Sequence, residues 1–133
     1  MTKTPLTLAI CGGLCASLLT PACQAADIQP LLQGYQQQGA AGPFSADAGG
    51  RLWTTAGANQ RQCGSCHGED LRQPGKQATT GKPIEPLAPS VQAERLTDPA
   101  KVEKWLKRNC KWTFGRECSP QEKGDLISFI NSR

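Results

Sequence analysis

The sequence predicts an all-α fold of four to five short helices, and three observations predict it. Apolar residues recur at spacings of three and four in four separate segments, the period of a helix with one buried face. Residues 73–90 lack that period and are rich in proline and glycine. Each proline fixes φ and removes a backbone donor, so this run is expected to be neither helix nor central strand. Between the helical segments lies Cys63-Gly64-Ser65-Cys66-His67, a stretch of chemistry-bearing side chains around which the rest is arranged. The chain has 133 residues, enough for one small domain.

Residues 1–25 read as a cleavable signal peptide. Lys3 gives a positive start, Leu6 to Leu19 is apolar, and Cys23-Gln24-Ala25 ends in the small residues that a signal peptidase accepts. The expected cut follows Ala25 and sends the protein to the periplasm. The apolar run is short for a membrane span. A competing reading lipidates Cys23 after Thr20-Pro21-Ala22, but threonine stands where leucine is usual. Removing the leader takes away Lys3 alone among charged residues, so the formal charge falls from +4 to +3. That balance is too weak to argue for a nucleic-acid partner.

The mature chain is expected to open with an N-terminal helical extension, residues 26–43. Ile28, Leu31, Leu32 and Tyr35 mark a helix over Asp27 to Gln38, and Gly39 to Pro43 breaks it. A second helix starts near Ser45 and places Gly49, Leu52 and Trp53 on one side. Residues 54–62 form a polar connection to the central motif.

The spacing C-x-x-C-H is that of c-type haem attachment. Two intervening residues bring both sulfurs to one side of a tight turn, where they add to the vinyl groups of the porphyrin. The adjacent imidazole then binds the iron from the proximal side. A zinc site would need a fourth ligand, usually from a second such pair, and none is present. A thioredoxin-like dithiol would need a βαβ context. Cys63 and Cys66 are therefore expected to carry one covalent haem c, with His67 as proximal iron ligand. Of seven cysteines, Cys11, Cys15 and Cys23 fall in the leader. Cys110 and Cys118 remain, and in an oxidising compartment a leftover pair this close is most simply a disulfide.

The loop at 73–90 is expected to wrap the haem, with Ile84 and Leu87 in apolar contact. A third helix follows, capped by Asp98, with Pro99 at its first position and an end near Asn109. Its apolar stripe is Val102, Trp105 and Leu106. The fourth helix begins with the capping box Ser119-Pro120-Gln121-Glu122 and turns Leu126, Phe129 and Ile130 inward. No strand worth naming is expected. Four short helices around a covalent haem form the class I cytochrome c architecture, assigned here to residues 44–133. The Gly49-x-x-x-Trp53 pair looks like the N-terminal helix of that class, where glycine permits close helix crossing and the aromatic packs near the haem.

The sixth iron position decides the chemistry. Ordinary electron carriers fill it with methionine or a second histidine. This chain has one methionine, Met1, which leaves with the leader, and one histidine, His67, already used. The iron is then five-coordinate, water-bound, or held by an unusual side chain such as Asn, Lys or Tyr. Asn109 lies seven residues after Val102, four after Trp105 and three after Leu106, which puts it on the buried stripe of the third helix. A buried amide needs a partner. Asparagine is equally suited to cap a helix C-terminus, and the spacing alone leaves both roles open.

Several segments together resemble the sphaeroides haem protein (SHP) family of monohaem class I cytochromes c. They are Cys63 to Gly68, Thr80-Gly81-Lys82 with Ile84, Pro86 to Ser90, Lys101 to Trp105, Arg108-Asn109-Cys110, Gly115-Arg116-Glu117-Cys118 and Glu122 to Asp125. The match runs from about Phe44 to the C-terminus and leaves residues 26–43 outside its clearest part. The resemblance implies that Asn109 is the distal iron ligand and that Cys110 and Cys118 form a disulfide beside the haem. It also implies that the asparagine lets go on reduction and opens the iron to oxygen, nitric oxide or another small ligand. Its implied redox partners are a dihaem cytochrome c and a membrane cytochrome b. The chemistry agrees: an amide oxygen is a hard, weak-field donor, tolerable to Fe(III), poor for Fe(II), and consistent with a mostly high-spin iron.

Lys101, Lys104, Lys107, Arg108 and Lys111 make the third helix basic, either to dock an acidic partner or as a solvated face balanced partly by Glu103. Trp105 and Trp112 read as packing or haem-edge residues. The functional expectation is a redox-gated electron-transfer protein that binds diatomic ligands. The alternatives are a small haem enzyme (a peroxidase, or an O2 or NO reductase) and a plain electron carrier. A peroxidase wants a distal acid–base group, and no paired arrangement of such groups is visible.

Overall fold

The computed structural model describes residues 25–133; the expected leader lies almost wholly outside the described residues. Five helices build the fold: α1 Gln29–Gln37, α2 Ala46–Thr54, α3 Gly64–His67, α4 Pro99–Phe114 and α5 Pro120–Asn131, with a short 3-10 turn at Ala58–Gln60. Among the described residues no helix is long and apolar enough to cross a membrane.

The helix starts follow from local chemistry. Ser45 caps α2 by accepting from the Ala48 amide at 3.2 Å. Asp98 caps α4 by accepting from the Lys101 amide at 3.1 Å. At α5 the box is reciprocal: the Ser119 hydroxyl accepts from the Glu122 amide at 3.2 Å, and the Glu122 carboxylate accepts from the Ser119 amide at 2.8 Å. Each satisfies donors that a helix N-terminus leaves unpaired.

α5 is the spine. Leu126, Phe129 and Ile130 join Trp53, Leu71 and Ala88 in one buried cluster. Ile127 turns the other way and joins Ile28, Leu31 and Tyr35 of the α1 region in a second. α2 crosses α5 closely at Gly49. A Cβ there would collide with the Asp125 carbonyl and the Phe129 Cβ, so only glycine permits this approach. α1, whose role the resemblance left unsupported, packs against α5, and Tyr35 is only 1% exposed.

Three expectations are corrected. The first concerns strands. The 73–90 loop contains a two-residue antiparallel ladder, β1 Gly75–Lys76 with β2 Pro83–Ile84, pairing Gly75 with Ile84 and Lys76 with Pro83. A turn between them is closed by the Gln77 amide on the Lys82 carbonyl at 2.8 Å, and Pro83 sits at the strand's first position, where a missing donor is tolerated. The second concerns α4, which continues five residues beyond Asn109. Nothing from Cys110 to Phe114 interrupts a helix, and the chain stops at Gly115, whose φ of +73° makes the left-handed cap. Asn109 is therefore not a C-terminal cap. The third concerns burial: Asn109 and Trp105 are exposed. All four residues of that stripe line a cavity, and of them Val102 and Leu106 also pack against the apolar core.

Candidate haem site

One cavity of about 770 Å³ collects the residues singled out by sequence, within the range of about 300–1,000 Å³ usual for small-molecule and cofactor sites. Cys63, Cys66 and His67 reach it from α3 and the residue before it, Asn109 from α4, and Ile84 and Leu87 from the loop expected to wrap the haem.

α3 is a single turn, and its neighbours hold it in place. The helix ends at Gly68, whose φ of +74° suits glycine. The Trp53 indole Nε1 donates to the Gly68 carbonyl at 3.1 Å, and its ring lies 5.6 Å from the His67 ring. On another side β1 approaches so closely that a Cβ on Gly75 would strike the Cys66 carbonyl and the His67 Cα. The tryptophan and the two glycines thus fix the backbone that presents the imidazole.

The electrostatics suit attachment and ligation. Burial pushes the Cys63 thiol up to about 11, so it is protonated near neutrality and unlike the low-pKa thiolate of a redox C-x-x-C. Cys63 and Cys66 are not joined to each other. Burial, and then the nearby Arg95 charge, lower the His67 pKa, which favours the neutral imidazole that binds metals. The Asn109 amide makes no hydrogen bond among the described residues and is free to act toward the cavity. Cys110 and Cys118 form a disulfide, S–S 2.01 Å, that ties α4 to the start of α5. Two thiols, an imidazole, an uncommitted amide and walls that include Val102, Leu106 and Ile130 fit a covalently held haem.

Comparison with known proteins agrees. A family described as a domain of unknown function, DUF1924, matches residues 39–130. The cytochrome c-type protein SHP of Cereibacter sphaeroides is 42% identical over 123 residues, 88% of this chain and 93% of that protein. The chain belongs to the SHP-like cytochromes c. The structure of oxidised SHP, an oxygen-binding cytochrome c, superposes with a TM-score of 0.73 at 38% identity, covering 83% of this chain and all of that one. Cytochrome c'' of Methylophilus methylotrophus is 39% identical over 80 residues, 60% of this chain and 56% of that protein. Its oxidised crystal structure superposes with a TM-score of 0.66 at 30% identity, over 77% of this chain and 91% of that one. A solution structure of the same protein, concerned with haem-ligand detachment, gives 0.68 at 29%, over 80% and 93%.

For an SHP-like cytochrome c, covalent haem c is the implied cofactor, and Cys63 and Cys66 fit its attachment. Sequence reasoning missed three participants. Thr113, only 2% exposed, hydrogen-bonds the Cys63 thiol. Gly75 lets β1 lie directly against the Cys66 and His67 backbone. Arg95 reaches the cavity from a stretch of turns. None lies in a motif, and only the fold brings them to the site.

Proposed function

We propose that this chain is a periplasmic monohaem cytochrome c in which Asn109 is the distal ligand of the ferric iron. Asn109 withdraws on reduction, so that electron arrival admits a small diatomic ligand such as O2 or NO. Haem c, when bound, supplies a one-electron iron couple and an axial coordination position. The chain's residues do the rest. Cys63 and Cys66 tether the group, and His67 holds the iron, kept in place by the Trp53 bond to Gly68.

The observation that carries the reading is the placement of Asn109. It lies inside α4, five residues before the helix end, lines the cavity shared with His67, and has no hydrogen-bond partner among the described residues. Its amide spends nothing on the fold and is a weak donor that reduction can release. The names of the relatives support the same direction: one is an oxygen-binding cytochrome c, and the other is studied for haem-ligand detachment.

The basic face of α4 supports electron exchange with a dihaem cytochrome c and a membrane cytochrome b. Lys107 and Lys111 pair with Glu117 at 3.5 and 3.1 Å. Glu103, expected to balance this face, pairs with Lys123 at 2.8 Å. Lys101, Lys104 and Arg108 have no carboxylate partner among the described residues and remain to meet an acidic surface.

The test is the visible spectrum of the holoprotein, ferric and ferrous, with and without carbon monoxide. A high-spin ferrous form that binds carbon monoxide promptly is expected. A low-spin ferrous form indifferent to carbon monoxide would sink the proposal and leave a plain electron carrier.

A further inference from the structure

Four cations line the cavity: Lys82, Arg95, Lys101 and Arg108. Lys82, Lys101 and Arg108 are exposed, whereas Arg95 is half-buried. Arg95 is also pinned. Its Nε donates to the Pro86 carbonyl at 2.8 Å and its Nη2 to the Glu85 carbonyl at 3.2 Å. Both acceptors are neutral, so the guanidinium is oriented but not neutralised. The carboxylates in the same walls do not pair with it. Glu85 accepts from the Gln92 amide at 3.3 Å, Asp98 caps α4, and Glu94 makes no ion pair among the described residues.

A guanidinium carries five N–H donors, and two are used here. A partly desolvated cation held in one orientation is costly unless an anion completes it. The anion that fits a planar fork is a carboxylate, which takes two parallel N–H bonds. Arg95 also lies near enough to His67 for its charge to be felt there.

We propose that Arg95 binds a carboxylate of the haem and that this fixed charge pair holds the reduction potential of the iron up. The inference rests on haem c in this cavity and is independent of Asn109. With Arg95 gone, the carboxylate would lose its one oriented, half-buried partner, and its less compensated charge would favour Fe(III). Lysine in its place keeps the charge but loses the planar fork and the two carbonyl anchors.

The experiment compares holoproteins of wild type, Arg95→Gln and Arg95→Lys, with haem attachment checked by pyridine haemochrome. Resonance Raman reads the propionate bending band, and a redox titration reads the midpoint potential. In Arg95→Gln the band is expected to move and the potential to fall. In Arg95→Lys the potential returns toward wild type while the band stays displaced. A wild-type band in Arg95→Gln overturns the proposal. Should that variant fail to take up haem, a wild-type band in Arg95→Lys does so equally. Carbon monoxide binding by the ferrous protein reports on Asn109 separately, so the two readings fail independently.

Discussion

Asn109 shows how one side chain acquires a role from what it does not do. Inside α4 it caps nothing, bonds to nothing among the described residues, and looks into a cavity that also holds His67. Replacing it tests the ligand assignment directly. Asn109→Ala is expected to keep its covalent haem, because Cys63, Cys66 and His67 are untouched. Ferric azide binding should become at least about tenfold faster, which corresponds to about 1.4 kcal/mol of lost ligation. Stopped-flow mixing checks this, and binding no faster than wild type would remove Asn109 from the iron.

At the scale of elements, the helices meet through contacts that tolerate little change. Gly49→Ala would drive a methyl into the Asp125 carbonyl and Phe129 Cβ where α2 crosses α5. Overpacking of this kind costs about 1–3 kcal/mol. The upper end is expected, because a carbonyl held within α5 cannot swing aside as a side chain can. Urea denaturation measures the loss, and an unchanged midpoint would mean that the crossing relaxes freely. The Cys110–Cys118 bridge works differently, by restricting the unfolded chain. For so short a loop, replacing both cysteines with serine should cost about 2–3 kcal/mol. A double variant as stable as wild type would remove that role. The sequence made the helix starts legible because Ser45, Asp98 and Ser119 act on amides three residues away. The C-x-x-C-H motif was legible for the same reason, its chemistry being contained in five residues. The end of α4 was misplaced because asparagine can stop a helix, yet the stop is Gly115, where the backbone turns left-handed. Arg95 and Gly75 were not legible at all, since their partners lie across the fold and no local pattern marks them.

At the scale of the molecule, α4 is the wall shared by two compartments. Val102 and Leu106 line the haem cavity and also pack against the cluster built on α1. A polar cluster ties the same helices together. The Tyr35 hydroxyl of α1 donates to Glu103 of α4 at 2.5 Å, and Lys123 of α5 donates to the other carboxylate oxygen at 2.8 Å. Tyr35→Phe removes one bond of this cluster while keeping the ring that packs edge-on against Phe44. A hydrogen bond to a charged group contributes about 1.5–3 kcal/mol, and a loss in that range is expected at neutral pH. The alkaline limb adds a sign. Burial, followed by the hydrogen bond and the charge of Glu103, raises the Tyr35 pKa above its ordinary value. Its stabilisation is therefore complete below the unfolded pKa of about 10 and is lost as pH rises beyond it toward the folded value. The stability difference between wild type and Tyr35→Phe should shrink above about pH 10. Urea midpoints of both proteins across the alkaline range check it. No difference between the two proteins at any pH would mean that Tyr35 contributes packing alone, and that the α1–α4 connection does not depend on its hydroxyl.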